Sequence, residues 1–444
     1  MKKIVVLGGG ESGVGAAVLA QMKGFEVFLS DHSKISDKYK DMLYRHGIPF
    51  EEGKHSEEII LSANEIIKSP GIPDSSPLIV EANKRGISVI SEIEFAGRYD
   101  TAKKICITGS NGKTTTTSMI YFLLKNAGLN VGLGGNIGKS YAYQVATEQH
   151  DYYVLEISSF QLDGMYEFKA DIAVLLNITP DHLDRYGYDM QNYINAKFRI
   201  TQNMNPEDCF IFCSDDEITI NQLNKIVIQS RKLPFSQEHK VAQGAFIEDG
   251  KMVVKYDSED YEMFLEELAL QGKHNIYNSM AAAITAKVVN IDNEVIRKSL
   301  MNFEGVEHRM EKVLSVGGVL YINDSKATNV NSTWYALDCM KTKVVLILGG
   351  TDKGNDYSPI YDLVKEKVRA IVCLGVDNKK IHDSFSDKVE TIVDTLSAEE
   401  AVKCASKLAK DGDTVLLSPC CASFDLFKNY EDRGAQFKAA VRKL

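Results

Sequence analysis

The sequence predicts an α/β protein of three domains, each a mostly parallel sheet flanked by helices. The first is Rossmann-like, the central one P-loop ATPase-like, and the last Rossmann-like again. Three observations predict this. Short apolar strands alternate with helical stretches along all 444 residues, the pattern of parallel sheets. Glycine loops stand between strand and helix at Gly8–Gly13 and Gly109–Gly112, where such sheets bind nucleotides. Linker-like stretches at 97–101 and 303–309 divide the chain into 1–98, 99–304 and 305–444.

The first domain opens with the apolar strand Lys3-Ile-Val-Val-Leu-Gly8, then Gly8-x-Gly10-x-x-Gly13 and a helix through Ala16, Ala17 and Leu19. A second strand, Glu26 to Ser30, ends at Asp31, about where a ribose hydroxyl needs an acidic partner. Alone, this motif says only that a diphosphate-bearing nucleotide can lie on the helix N-terminus. Strands at Glu65 to Lys68 and Ser88 to Ile90 extend the unit. Between them Ser69-Pro-Gly-Ile-Pro73 is a rigid turn, readable as a ligand contact or as plain turn chemistry.

The second domain begins with Lys103–Thr117, KKICITGSNGKTTTT. It reads as a buried strand, a tight glycine turn, and a lysine with four threonines opening a helix. Glycines let backbone N–H groups converge on a phosphate, and the helix N-terminus adds unpaired donors and its dipole. Lys113 reaches the outer phosphates and the Thr114 hydroxyl ligates Mg²⁺ in such loops. The spacing G-x-x-G-K-T is shorter than the usual G-x-x-x-x-G-K-[ST], because Ile107 stands where the first glycine would be. The stretch is read as an ATP site. Its helix runs to about Ala127, and Gly134–Gly138 reads as a flexible loop. Strands ending at Glu156 and Leu176 bring Glu156 and His182 beside the phosphate loop. Glu156 suits Mg²⁺; His182 reads equally as a satisfied structural histidine. Nothing local marks Lys197 of Tyr193-Ile-Asn-Ala-Lys197, so a surface lysine is expected. Alternation around Asp249-Gly250 signals a hairpin. An alanine-rich helix follows Gly272-Lys-His-Asn275.

The last domain alternates strands at Gly318 to Asn323, Lys343 to Leu348, Ala370 to Leu374, Glu390 to Val393 and Thr414 to Leu417 with helices. One helix is opened by a Ser397-x-x-Glu400 capping box. Polar loops Asp324–Thr328, Gly349–Gly354 and Ser418–Ser423 gather at one sheet edge.

A net charge of −10 argues against a general nucleic-acid binder. No apolar run reaches the ~18 residues of a membrane span. Eight cysteines without a C-x-x-C pair exclude a zinc framework or a secreted disulfide scaffold. A cytoplasmic monomer is expected.

The ordered motifs GSNGKTT, LEISSFQL at 155–162, NITPDHLDRY at 177–186, the YINAK lysine, GKHN at 272–275, HRME at 308–311, NDSKATN at 323–329, GGTDKG and SPCCASFDLFKNYEDRG resemble the ATP-dependent Mur ligases over the whole chain. Among those ligases the resemblance is strongest to members that add D-glutamate to UDP-N-acetylmuramoyl-L-alanine through an acyl phosphate. It implies ATP and Mg²⁺ as cofactors and those two small molecules as substrates. Gly10, Glu11, Ser12, Asp31, His32 and Ser33 would hold the UDP moiety, with Asn136 and His182 near the muramoyl part. Gly109, Ser110, Asn111, Gly112, Lys113, Thr114 and Thr115 would hold ATP phosphates. Asn275, Asn278, His308, Arg309, Asp324 and Lys326 would surround the rest of the nucleotide. Thr114, Glu156, His182 and Lys197 would bind Mg²⁺, Lys197 as a carbamate. The catalytic set is then Lys113, Glu156, His182 and Lys197. Thr328, Lys353, Ser423 and Phe424 would meet D-glutamate. Departures from the D-glutamate-adding pattern are His32-Ser33, where Thr-Arg is frequent, and Tyr357 and Tyr430, where phenylalanine is common. Rival readings are a folylpolyglutamate synthetase, another Mur ligase, a nicotinamide oxidoreductase built on the first glycine motif, and a nucleotide switch without turnover.

Overall fold

Apolar runs buried on both faces set the architecture. Ile4 to Leu7, Ile105 to Ile107 and Val344 to Leu348 are almost wholly excluded from water, as parallel strands covered by helices require. The structure, a computed structural model, describes residues 2–257 and 259–444, and those residues form three sheets.

The first sheet holds β1 (Lys3–Leu7), β2 (Glu26–Asp31), β3 (Phe50–Glu52), β4 (Glu65–Lys68) and β5 (Ser88–Ile90) in the order β3-β2-β1-β4-β5. All its pairings are parallel. The second holds β6 (Lys103–Thr108), β7 (Val131–Gly135), β8 (Tyr152–Glu156), β9 (Ile172–Leu175), β10 (Cys209–Cys213), β11 (Arg231–Ser236), β12 (Gly244–Glu248), β13 (Lys251–Lys255) and β14 (Tyr261–Phe264). Their order is β14-β13-β12-β11-β10-β9-β6-β8-β7, antiparallel only at β12–β13 and β13–β14. The expected hairpin is there, turning on Asp249 (φ 47°) and Gly250 (φ 74°), both left-handed as a tight hairpin needs. The third sheet holds β15 (Glu311–Val316), β16 (Val319–Asn323), β17 (Val344–Gly349), β18 (Val368–Leu374), β19 (Ile392–Thr395) and β20 (Thr414–Cys420). Its order is β15-β16-β20-β17-β18-β19, with only β15 antiparallel to its neighbour.

By internal contacts the chain divides into two units: Met1–Ala269 with Asn275–Phe303, and Leu270–His274 with Glu304–Leu444. The first unit carries two sheets joined by a shared core, in which Val14, Ala17 and Phe95 pack in one cluster with Tyr141 and Leu155. Among the described residues no helix is long and apolar enough to cross a membrane.

Three local expectations are corrected. Gly134 and Gly135, read as loop, belong to β7 and pair with Leu155 and Glu156. The Ser397 hydroxyl accepts from the Glu400 N–H, but the Glu400 carboxylate accepts from Leu396 rather than from Ser397, so the capping box is only half closed. Lys197 is not a surface lysine: it is 2% exposed.

Candidate active site

The phosphate loop joins β6 to the helix Lys113–Asn126. Gly109 (φ 150°) and Gly112 (φ 84°) take backbone conformations that side chains resist. A Cβ at Gly112 would also stand 2.5 Å from Asn278 Oδ1. The loop is held from outside by the segment after β9. Ser110 N–H donates to the Asn177 carbonyl (2.9 Å) and Ser110 Oγ to the Thr179 carbonyl (2.8 Å). The Asn177 side chain mimics a backbone partner: its Oδ1 accepts from Asn111 N–H (2.9 Å) and its Nδ2 donates to the Asn111 carbonyl (3.1 Å). Asn278 accepts from Thr116 Oγ1 and donates to Asn275 Oδ1, so Asn278 lies against this helix with Asn275 beside it. Thr114 and Thr115 are buried at its first turn.

Two amines converge on one carbonyl. Lys113 Nζ donates to the carbonyls of Gly109 (2.7 Å) and Ser110 (2.8 Å). Lys197 Nζ, arriving from the helix Met190–Phe198, donates to the same Gly109 carbonyl (2.8 Å) and to Thr108 Oγ1 (3.3 Å). Burial, reinforced by the Lys113 charge, pushes the Lys197 amine well below the ordinary lysine range. Burial thereby favours the unprotonated, nucleophilic form of this amine.

Glu156 ends β8, opposite Ile107 of β6 and Gly135 of β7. Its Oε1 accepts from Asn136 Nδ2 (2.8 Å), while its Oε2 is buried with no hydrogen-bond partner. Such an orphan costs ~1–3 kcal/mol, and a hard divalent cation is the partner a carboxylate oxygen beside a phosphate loop would accept. The donor set therefore fits Mg²⁺. His182 (φ 52°) lies beyond the clamp segment, half exposed, with its ring 5.2 Å from that of Phe160.

The first glycine loop is shaped by the same constraints. A Cβ at Gly13 would fall 1.9 Å from the Gly8 carbonyl, and one at Gly8 (φ 105°) 2.2 Å from Ser69 Oγ of the Ser69–Pro73 turn. The Asp31 carboxylate is held at the end of β2 by two backbone donors. Its Oδ2 accepts from Gly9 N–H (2.6 Å) and its Oδ1 from Ser33 N–H (2.7 Å). It braces the loop. Glu11 accepts from Tyr39 OH (2.8 Å) and Ser140 N–H (3.3 Å). Burial raises its carboxyl, yet those bonds and Lys38 together hold it below its ordinary value. Gly10 has open space around it, and the His32 ring sits 5.9 Å from that of His55.

In the second unit three strand-end loops are stitched together by Arg433, a residue singled out by no spacing rule. Its guanidinium is buried and donates to Ser325 Oγ and to the carbonyls of Ser325, Cys421 and Gly349. Burial pushes it down to about 10. Thr351 N–H donates to the Ala422 carbonyl (2.9 Å), which sets the loops of Lys353 and Ser423 side by side. Thr328, Lys353 and Phe424 are exposed and Ser423 is buried. Asp324 is fully enclosed, accepting from Ser418 Oγ (2.9 Å) and Met310 N–H (3.2 Å), and burial raises it to about 6. His308 (φ 63°) accepts from Asn323 Nδ2 through Nδ1 (2.9 Å). A Cβ at Gly434 would fall 2.2 Å from that nitrogen. Arg309 Nε is buried without a partner, and Lys326 Nζ stands over the Tyr430 ring at 5.4 Å.

Asn177, Glu92 and Arg433 were thus missed as positioning residues. Asn177 and Arg433 lie inside motifs the sequence displays, but only tertiary contact reveals their work. Glu92 has no local signal. It is fully enclosed and accepts from Ser140 Oγ (2.5 Å) and Ala142 N–H (2.9 Å).

Comparison with known proteins agrees with this geometry from end to end. Residues 2–91 match the model described as Mur ligase MurD-like, N-terminal domain, residues 107–286 the Mur ligase middle domain, and residues 308–421 the Mur ligase, glutamate ligase domain. The UDP-N-acetylmuramoylalanine--D-glutamate ligase of Bacteroides fragilis is 61% identical over 100% of both chains. The protein of the same name from Christiangramia forsetii is 56% identical, again over 100% of both. Among solved structures, the UDP-N-acetylmuramate-alanine ligase MurC of Thermotoga maritima superposes with a TM-score of 0.64 at 18% identity, covering 100% of this chain and 99% of that one. The MurF ligase of Thermotoga maritima, solved in complex with ADP, gives 0.60 at 16%, covering 96% and 99%. With three family models in order along it and full-length relatives this similar, the chain belongs to the Mur ligase family.

Proposed function

We propose that this chain is the ATP-dependent ligase that joins D-glutamate to the alanyl carboxyl group of UDP-N-acetylmuramoyl-L-alanine, in the cytoplasm, as a step of peptidoglycan precursor synthesis. The observation that carries the reading is the 61% identity, over the full length of both chains, to a relative bearing that activity in its name. The loop whose glycines, lysine and threonines can cradle phosphate supports it.

A carboxylate becomes an acyl donor when phosphorylation converts one oxygen into a leaving group, and an amine then attacks the acyl phosphate. In this reading the domains are 1–98, 99–304 and 305–444, binding the UDP-sugar, ATP and D-glutamate in turn. Lys113 leaves the Gly109 and Ser110 carbonyls to neutralise the transferred phosphoryl oxygens. Thr114, Glu156, His182 and Lys197 would hold Mg²⁺, which would supply charge neutralisation on the phosphates. Lys197 takes part as a carbamate: its neutral Nζ adds to the carbon of CO₂ and loses a proton, converting a donor into an oxygen ligand. Asn136 keeps Glu156 oriented through their hydrogen bond. Asn275, Asn278, His308, Arg309, Asp324 and Lys326 contact the remainder of the nucleotide. Gly10, Glu11, Ser12, Asp31, His32 and Ser33 surround the UDP moiety, Asp31 by shaping the loop. Thr328, Lys353, Ser423 and Phe424 receive D-glutamate, Lys353 pairing with a carboxylate.

The test is direct. The purified chain is given ATP, Mg²⁺, UDP-N-acetylmuramoyl-L-alanine and a panel of amino acids, and products are identified by mass. The expected outcome is one heavier UDP-linked product, made with D-glutamate, alongside ADP and phosphate. ADP without that product would overturn the reading.

A further inference from the structure

The third sheet carries a second chemical cluster, built from other residues than those bonded to Arg433. Parallel pairing of β18 with β19 sets Cys373 directly opposite Asp394, so their side chains share a face of the sheet. The helix Lys379–Phe385 returns over that face, anchored by Ile381 and Phe385 in the same apolar cluster as Cys373. His382, next to Ile381, is thereby delivered to the pair. His382 Nε2 lies 3.1 and 3.2 Å from the two Asp394 oxygens. One ligand atom from each of Cys373, His382 and Asp394 lies within 4.8 Å of the other two. His382 and Asp394 also line a cavity of about 700 Å³, whose wall includes a second thiol, Cys404.

We propose that Cys373, His382 and Asp394 form a binding site for a divalent transition metal of the zinc type. The donor set selects the ion: thiolate and imidazole suit zinc or cobalt, whereas magnesium and calcium take oxygen. A tetrahedral zinc centre holds its ligand atoms roughly 3.3–3.8 Å apart, given bonds of ~2.0–2.3 Å. The imidazole–carboxylate edge is already near that spacing, and the thiol needs a shift of at most roughly 1.5 Å. Three protein ligands leave the fourth position to water or to a small donor in the cavity. An ion there would pin β18, β19 and the helix Lys379–Phe385 to one another. The site uses none of the residues assigned to the ligase reaction.

The experiment uses the full chain titrated with Co²⁺ while excess Mg²⁺ occupies oxygen-only sites. The expected result is one equivalent bound, with the thiolate-to-cobalt charge-transfer band and the intense visible bands of a tetrahedral centre. Zn²⁺ should displace it and raise the melting temperature, reversibly with a chelator. Cys373→Ser should abolish the charge-transfer band. His382→Ala alters a partly exposed side chain, leaves the apolar cluster intact, and should weaken binding at least tenfold. Cys404→Ser should retain the band. The proposal is overturned if wild-type Co²⁺ shows only weak octahedral bands, if His382→Ala binds as tightly as wild type, or if the band survives Cys373→Ser.

Discussion

The chain contains two strand–glycine–helix loops, at Gly8–Gly13 and Gly109–Thr115, and they differ in what completes them. Around the first, two carboxylates are already engaged by protein donors. Asp31 already occupies the Gly9 and Ser33 N–H groups, and Glu11 reaches across to Ser140. Around the second, two amines share the Gly109 carbonyl, and a carboxylate oxygen is left buried and unpaired. The same backbone device therefore serves two purposes. One loop is braced by paired carboxylates, while beside the other a single buried carboxylate oxygen is left without a partner.

The sharpest way to break this contrast is Lys113→Ala. It should lower turnover about a thousandfold by removing charge from the transferred phosphoryl group, while calorimetry finds UDP-sugar affinity within about twofold of wild type. Equal loss in both would mean the loops do not divide the work. Next, Lys197→Ala should cost about a hundredfold in turnover, with partial rescue by added short carboxylates. Failure of rescue would remove the carbamate and leave the ATP site standing. The same amine gives a pH test. Its folded pKa lies below the unfolded 10.5, so the unfolded chain binds the extra proton and stability rises with pH between the two values. Lys197→Met should flatten that slope, stabilising the protein more at pH 7 than at pH 9 in denaturant titrations.

Smaller effects are expected at the first loop. Gly13→Ala drives a methyl group against the Gly8 carbonyl. It should raise the UDP-substrate KM about thirtyfold, from strain of ~2 kcal/mol, with the KM for ATP unchanged. Asp31→Asn replaces one of two accepting oxygens with a donor and should raise the same KM about fivefold, ~1 kcal/mol. If either variant changed the KM for ATP as strongly, the loops would have to be treated as one site.

Much of this frame was readable from local pattern. Apolar runs such as Ile4–Leu7 and glycines that no side chain could replace are local signals, and they placed both loops and the hairpin turn at Asp249-Gly250. What escaped reading depends on contacts distant in the chain. β3 and β15 are short or mostly exposed and lack a buried apolar run. Lys197 shares a helix face with Tyr193, Ala196 and Phe198, yet only the fold shows that this face is the buried one. Asp31 has the spacing of a ribose ligand, but its hydrogen bonds to Gly9 and Ser33 are visible only in the fold. Asn177 looks like any asparagine after a strand until its amide closes on Asn111.

Arg433 has a consequence for how this protein can change over generations. One buried guanidinium fixes the carbonyls that frame the second unit's loops, so the rim positions Thr328, Lys353 and Phe424 are not needed to hold that frame. Substitutions at the rim can therefore change the exposed surface without unravelling the scaffold, whereas a change at Arg433 would disturb all three loops together. Surface chemistry and architecture are thus encoded in separate residues, and the former is free to drift.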